Sequence, residues 1–146
     1  MFWWVAPIAN TLARYLIWPL RHVTGTLGRT AGIAPDTAHF RPADGLADVD
    51  TWLAGSGQRP VWIFLHDPYC PNSRAARGEV ARSGREVELV DVSRQQMISR
   101  AIERRTDVRH ESPQLLLLRH GCAVWSASHF EITGATIAAA ALLAAP

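Results

Sequence analysis

The sequence predicts an α/β domain in which helices flank a central mixed sheet of about four strands, with an N-terminal helical extension ahead of it. Short apolar runs bounded by turn residues, such as residues 61–65 and 115–118, are typical of strands buried on both faces. Segments with helical periodicity separate these runs, which favours a layered α/β architecture. The chain has 146 residues, of which 48% are hydrophobic and 19% charged, as expected for one globular domain plus an extension.

Residues 1–23 form an apolar, aromatic-rich segment that we predict to be the helical extension. It lacks the basic start and the cleavage site of a secretory signal, and prolines and polar residues interrupt it too often for a good spanning helix. Three interpretations stay open: an interfacial membrane helix, a helix docked on the domain or on a partner, and a short single-pass anchor. Any membrane contact would run through residues 2–20, and Arg14, Arg21 and Arg29 would keep the domain on the cytoplasmic side.

Residues 24–45 are predicted to be a linker, because they contain glycines and prolines and few large apolar residues. Residues 46–146 are predicted to be the folded domain. A short helix is expected over residues 47–53, with Trp52 and Leu53 facing the core, and glycines then end it.

Strand and helix signals alternate after this first helix. Residues 61–65 predict a buried strand, and residues 71 to about 83 predict a helix that begins with a proline, where a missing N–H has no cost. Residues 86–92 predict a second strand, and residues 93 to about 106 predict an amphipathic helix. Its apolar side is expected to carry Met97, Ile98, Ala101 and Ile102.

The end of the domain predicts a hairpin and a closing helix. Residues 115–118 form a buried strand, His120 and Gly121 a tight turn, residues 123–126 the returning strand, and residues 132–145 an alanine-rich helix. The resulting order is strand-helix-strand-helix-strand-strand-helix. This is the thioredoxin-like order, with one sheet and helices on both faces.

Cys70 follows the first predicted strand and precedes Pro71, so we expect it at the first turn of a helix. Backbone N–H groups at a helix N-terminus are unpaired and partly positive, and they favour a nucleophilic thiolate over a thiol. Ser73 stands where a C-x-x-C redox pair would place its second sulfur, which indicates one-thiol exchange. The Ser73 hydroxyl has two predicted partners, the Cys70 thiolate and the backbone of its own helix.

Pro113 precedes the third strand of the thioredoxin-like order, where that fold brings a proline, usually in cis, to the thiol. This role leaves the preceding backbone free to pair with an incoming substrate strand. The alternative is that Pro113 only begins a strand.

The predicted hairpin places Arg119 opposite Cys122 and Pro113 roughly opposite Ser128. Ser128 and His129 therefore return to the end of the sheet that holds the thiol. Cys122 lies about seven residues, or about 20 Å, from that end. A disulfide to the active-site thiol is improbable because it needs Cα atoms within about 7 Å.

Two histidines are candidate bases for the thiol, His66 and His129. Each is also explained by a hydrogen-bonded structural role at a strand end. His110 and Glu111 either act at the site or brace the Pro113 loop.

Composition excludes several classes of function. A net charge of +2 with scattered arginines argues against nucleic-acid binding. Two cysteines make no disulfide framework, and no metal-ligand spacing is present, so a reducing, cytoplasmic compartment fits best.

Three blocks of sequence resemble the monothiol bacilliredoxin (YtxJ-like) family over roughly residues 47–143. They are Cys70-Pro71-Asn72-Ser73 after the first strand, the block from Val108 to Gln114, and the block from Val124 to His129. The second and third blocks are specific, whereas a bare C-P-x-S would be weak.

The resemblance implies a thioredoxin-like oxidoreductase linked to bacillithiol. Cys70 would take the low-molecular-weight thiol from mixed disulfides on client proteins, with that thiol as co-substrate and no bound cofactor or metal. The implied catalytic residues are Cys70, Ser73 and Pro113, and the implied substrate-binding residues are Tyr69, Pro71, Asn72, Ser112 and His129.

The chain departs from the family pattern at three positions, and the assignment has two alternatives. Asn72 replaces a small aliphatic residue, Tyr69 stands where a small polar residue is expected, and Cys122 replaces a polar turn residue. The alternatives are a non-catalytic thioredoxin-like interaction module with a structural Cys70, and a monothiol glutaredoxin-like protein that uses glutathione or hands on a metal centre.

Overall fold

A computed structural model of the protein describes residues 39–144. The predicted extension over residues 1–23, its membrane contact through residues 2–20 and most of the predicted linker over residues 24–45 lie outside the described residues. Within the described part, no helix is long and apolar enough to cross a membrane.

The domain is a five-stranded mixed sheet with helices on both faces, which confirms the predicted fold class. The strands are β1 (His39–Pro42), β2 (Val61–His66), β3 (Glu86–Asp91), β4 (Gln114–Arg119) and β5 (Cys122–Ser128). The helices are α1 (Ala47–Gly55), α2 (Pro71–Arg82), α3 (Gln96–Thr106) and α4 (Gly134–Leu142), with a short 3₁₀ turn at His129–Glu131. The sheet order is β1-β3-β2-β4-β5; β1, β3 and β2 are parallel, and β4 and β5 are antiparallel to their neighbours.

Residues 39–42 were predicted to belong to the linker, but they form strand β1 of the sheet. The strand pairs in parallel with β3, and the Ala43 N–H donates to the carbonyl of Leu89 at 2.8 Å. Four residues with an exposed arginine and a proline make a short edge strand without an apolar run. The domain therefore begins before the predicted boundary at residue 46.

Two apolar cores hold the sheet between its helices. One lies between the sheet and α1 and α3, and it contains Ile63, Leu65, Leu116 and Leu118 from the central strands. The other lies between the sheet and α2 and α4, and it contains Phe64, Leu115 and Leu117. All six residues of β2 are buried, so the strand that leads to Cys70 has a fixed position.

Helices α3 and α4 begin later than predicted. Before α3, the Asp91 carboxylate accepts hydrogen bonds from the backbone and hydroxyl of Ser93, which forms a turn instead of a first helical turn. Met97 was expected on the apolar side of α3, but it is 59% exposed. Before α4, Thr133 forms a capping box with Thr136, so the helix starts at Gly134.

The β4–β5 hairpin differs from the prediction by one residue of register. Arg119 lies opposite Cys122 as predicted, and the turn residues His120 and Gly121 have φ of 52° and 78°. A β-bulge beside Leu117 and Leu118 then shifts the pairing, so Ser128 lies opposite Gln114 instead of Pro113. A bulge is set by packing along the strand and leaves no clear mark in a short apolar pattern.

Candidate functional site

Cys70 is the N-cap residue of α2, at the end of the buried strand β2. Its backbone is extended, with φ −89° and ψ 123°, and Pro71 is the first helical residue. The Cys70 N–H donates to the carbonyl of Asp67 at 3.2 Å, and its carbonyl accepts from the Arg74 N–H at 3.1 Å. The thiol makes no capping hydrogen bond and is partly exposed. The backbone is therefore held while the sulfur is left free to react.

Ser73 is fully buried, and its hydroxyl has partners different from the two predicted. The Ser73 oxygen accepts a hydrogen bond from the Asp67 N–H at 2.9 Å and lies 2.9 Å from Nδ1 of His66. Among the hydrogen bonds of residues 39–144, none joins this hydroxyl to Cys70 or to a carbonyl of α2. Ser73 therefore ties the loop before Cys70 to the helix after it.

His66 ends β2 as a buried partner of Ser73. Its ring stacks on Phe64, with 5.4 Å between ring centroids. Burial lowers the pKa of His66 below its ordinary value of 6.5, and the positive charge of Arg77 lowers it further, against the opposing charges of Asp91 and Asp67. A neutral, hydrogen-bonded ring fits the structural role predicted for His66 better than the predicted role of a charged imidazolium beside the thiol.

The Pro113 loop lies beside the end of β2 that leads to Cys70. Leu65 pairs with Gln114, which places the buried Pro113 next to His66 at that end of the sheet. The Ser112–Pro113 peptide bond is cis. The Ser112 hydroxyl oxygen is enclosed and has no hydrogen-bond partner among the described residues.

Gln114 holds this loop in shape, a role that the sequence reasoning missed. Its side chain is 3% exposed, donates to the carbonyl of Arg109 at 3.0 Å and accepts from the Glu111 N–H at 3.2 Å. The His110 N–H donates to the Glu103 carboxylate at 3.3 Å. A polar residue at the start of an otherwise apolar strand is the one signal that could have indicated this bracing.

His129 lies against the Pro113 loop, at the end of the sheet where it was expected. Its N–H donates to the Pro113 carbonyl at 3.0 Å, and its Nε2 lies 3.6 Å from the Glu111 carboxylate. It also lines a cavity of about 200 Å³ together with Asn72 of the Cys70 motif. The structure therefore brings together Asn72, His129 and the Pro113 loop.

Two large aromatic side chains near the site face solvent. Tyr69, directly before Cys70, is 72% exposed, and Phe130, directly after His129, is 82% exposed. Tyr69 was among the predicted binding residues, whereas Phe130 was not. Exposed aromatic residues close to a reactive group are frequent in binding surfaces.

Beside the Pro113 loop and the end of β5 lies a groove of about 550 Å³. Seven of its nine lining residues have polar or charged side chains, but slightly more of the lining surface is apolar than polar; the residues are Val108, Arg109, Glu111, Gln114, Ser126, Ser128, His129, Phe130 and Glu131. His129 and Phe130 line both this groove and the smaller cavity at Asn72.

Cys122 lies at the opposite end of the sheet, at the β4–β5 turn. It is exposed, and both cysteines are free thiols. Within the described residues, no group of three or more histidine, cysteine or acidic side chains could hold a metal ion. The site thus contains one cysteine, and any redox step there uses a single thiol.

A lone thiol at a helix N-cap, beside a proline loop at the end of the central strands, defines a thioredoxin-fold protein of the single-thiol class. Solved structures share this fold. One of these structures, described as having a thioredoxin fold, is 22% identical to this chain with a TM-score of 0.63. The match covers 70% of this chain and 93% of the other chain. A Fasciola hepatica thioredoxin has 13% identity, a TM-score of 0.56 and coverages of 72% and 99%. A Nicotiana alata thioredoxin has 10% identity, a TM-score of 0.58 and coverages of 79% and 100%.

The chain belongs to the monothiol bacilliredoxin BrxC family, whose model matches residues 44–137. The match contains Cys70, Ser73, Pro113 and His129, and it confirms the family resemblance found in the sequence. Family and fold together support a thiol redox function.

Proposed function

We propose that the protein is a monothiol thiol–disulfide oxidoreductase that removes bacillithiol from mixed disulfides on client proteins. The observation that carries this proposal is the partly exposed, uncapped thiol of Cys70 at the N-terminus of α2. The position for a second sulfur holds Ser73, whose hydroxyl is engaged by Asp67 and His66. The resolving thiol must therefore come from another molecule.

The proposed reaction consists of two successive disulfide exchanges. The Cys70 thiolate attacks the sulfur of the small thiol, forming a new S–S bond as the bond to the client sulfur breaks. The client leaves as a thiolate with that electron pair and takes a proton from water. An external thiol then attacks the Cys70 adduct, restores the Cys70 thiolate and carries the small thiol away as a disulfide. The exchange needs no bound cofactor.

Two features of the site favour this step. Cys70 lies at the N-terminus of α2, where the backbone N–H groups of a helix are unpaired and carry a partial positive charge. The Pro113 loop, braced by the hydrogen bonds of Gln114, presents its backbone at the end of β2 that leads to Cys70, where a substrate can rest.

We propose that the clients are cytoplasmic proteins, because exchange with a small thiol requires a compartment that keeps Cys70 reduced. Residues 2–20 are proposed to make peripheral contact with the inner face of the membrane, on the basis of their aromatic composition.

Intact mass spectrometry tests the proposal. The reduced protein is incubated separately with oxidised bacillithiol and with oxidised glutathione. One adduct per chain from bacillithiol, absent from Cys70→Ser and kept in Cys122→Ser, is the expected result. Selectivity for glutathione would keep the mechanism and replace the co-substrate.

One observation favours a second candidate, a non-catalytic interaction module. Tyr69 and Phe130 expose aromatic surface on residues adjacent to the site, as a docking surface would. In this case Cys70 would form no adduct with either disulfide and would resist alkylation at neutral pH, whereas a thiolate would be alkylated quickly.

A further inference from the structure

We propose that the exposed end of α4, together with the arginines of the neighbouring helix α2, binds an anionic lipid surface. The contact is separate from the one proposed for residues 2–20, and it does not depend on the chemistry of Cys70. Four exposed residues at the end of α4 form what we term the α4 surface: Ala138, Ala139, Leu142 and Leu143.

The α4 surface exposes large apolar side chains that the core does not use. Leu142 is 77% exposed and Leu143 is 60% exposed. Ala138 and Ala139 adjoin the leucines, because residues four apart are neighbours on a helix. No residue from 132 to 144 is charged. A helix on the surface of a globular domain normally has charged residues on its outer side, so this surface indicates an apolar partner.

Positive charge lies on the helix that packs against α4. Helices α2 and α4 cover the same face of the sheet, and Val80 and Ile137 join them in one core. Arg82, in the last turn of α2, pairs with Glu79 and is still 58% exposed. Helix α2 and the turn after it contain one acidic residue, Glu79, and four arginines: Arg74, Arg77, Arg82 and Arg85.

The helices on the other face of the sheet show no excess of positive charge. Helices α1 and α3 carry as many acidic residues as arginines: Asp48, Asp50, Arg100, Glu103, Arg104 and Arg105. An apolar surface beside a net positive charge matches a bilayer with anionic lipids, whose interior accepts the leucines while its headgroups attract the guanidinium groups. A second copy of the chain fits less well, because a symmetric contact would bring the arginines of both copies together.

The proposed contact lies away from the thiol. Cys70 is at the first turn of α2, whereas Arg82 is in its last turn, about 18 Å further along the helix axis. Helix α4 begins beside the second half of α2, where the Gly134 N–H donates to the Glu79 carboxylate at 2.9 Å. A bilayer that contacts Arg82 and the α4 surface therefore leaves Cys70 facing the solution.

Binding of the full chain to lipid vesicles tests the inference. The vesicles contain phosphatidylcholine alone or phosphatidylcholine with phosphatidylglycerol, and the bound protein is measured by co-sedimentation. One variant is Leu142→Ala/Leu143→Ala, which shortens both exposed leucines. The other is Arg82→Gln, which removes the exposed cation.

Matched control variants change the opposite face of the sheet. Leu46→Ala/Met97→Ala shortens two other apolar side chains, which are 48% and 59% exposed. Arg105→Gln removes another exposed, ion-paired arginine from the last turn of a helix. Circular dichroism verifies that each variant is folded.

Hydrogen exchange separates the α4 surface from other lipid contacts of the chain. Because residues 2–20 are also proposed to contact lipid, total binding alone does not identify α4. Exchange of the backbone amides over residues 134–143, measured by mass spectrometry, should become slower in the wild type when anionic vesicles are added. Neutral vesicles should leave this exchange unchanged.

We expect the double leucine variant to bind anionic vesicles about tenfold more weakly than the wild type, and Arg82→Gln about fivefold more weakly. The control variants should bind as the wild type does.

Three outcomes would overturn the inference. The first is no binding by the wild type, or unchanged affinity of both variants without slower exchange in α4. The second is equal binding to neutral and anionic vesicles, which would remove the role of the arginines. The third is exchange in α4 that slows with protein concentration in the absence of vesicles, which would assign the surface to a second copy of the chain. Adduct formation on Cys70 is measured separately, so none of these outcomes decides the proposed function.

Discussion

Replacing Ser73 with alanine tests how the loop that carries Cys70 is held. The change removes two hydrogen bonds, one from the Asp67 N–H and one with Nδ1 of His66, each 2.9 Å long. A buried polar group left without a partner costs about 1–3 kcal/mol. His66 is buried, whereas Asp67 is half-buried and can recover some water. We therefore expect Ser73→Ala to lower the free energy of unfolding by about 2–4 kcal/mol.

Urea denaturation followed by far-ultraviolet circular dichroism measures this loss, with an unchanged slope against urea concentration. The matched control is Ser99→Ala, because Ser99 is also a buried helical serine, 2% exposed. Its hydroxyl, however, donates only to a carbonyl of its own helix. That control should lose no more than about 1 kcal/mol.

A double variant gives the sharper test. His66→Phe removes the second partner while keeping a ring on Phe64, so Ser73→Ala should cost about 1 kcal/mol less in the His66→Phe background. If Ser73→Ala costs no more than Ser99→Ala, or if the two changes are additive, the hydrogen bonds at Ser73 do not hold the loop and the reasoning is refuted.

Three further predictions concern pH, redox and the hairpin. The pKa of His66 is lower in the folded protein than in the unfolded chain, where it is about 6.5. At pH values between the folded and unfolded pKa, the unfolded state therefore binds more protons. Stability should therefore fall as pH falls below about 6.5 until the folded pKa is passed, and this contribution to the pH dependence of urea midpoints should vanish in His66→Phe. Ser73→Cys creates a C-x-x-C pair, so the introduced thiolate should attack the Cys70 sulfur of the adduct, expel the small thiol as a thiolate and leave an internal disulfide, a loss of mass visible by intact mass spectrometry; a persistent adduct would contradict this. Gly121→Ala should lower the free energy of unfolding by about 1 kcal/mol, because alanine is strained at a φ of 78°. The rate of adduct formation on Cys70, at the other end of the sheet, should be unchanged, and a slower rate would contradict this.

The parts of the fold that were predictable from sequence are those with a strong local pattern. Strands β2 and β4 contain uninterrupted apolar runs over residues 61–65 and 115–118, and Pro71 after Cys70 marks the start of α2. Strand β1 has no such pattern, since it is a four-residue edge strand that exists only because β3 offers it a partner. The β-bulge at Leu117 also depends on partners distant in the sequence.

The sequence predicted the place of the candidate site in the fold but not the contacts within it. The order of elements was enough to bring Cys70, Pro113 and His129 to one end of the sheet. The partners of Ser73 depend on the turn at Asp67, and a serine has several local alternatives that sequence cannot rank. Phe130 was missed because an isolated aromatic residue in a turn looks like a core residue until its exposure is known.

Transfer from a client-like peptide tests most directly the claim that one thiol does the chemistry. A peptide carrying a bacillithiol mixed disulfide is mixed with the reduced protein, and the free peptide thiol and the adduct on Cys70 are quantified in the same sample. The mechanism predicts one Cys70 adduct for each peptide thiol released, no release by Cys70→Ser, and a rate for Cys122→Ser within about twofold of the wild type. Release by Cys70→Ser, or release without an adduct on Cys70 of the wild type, would contradict it.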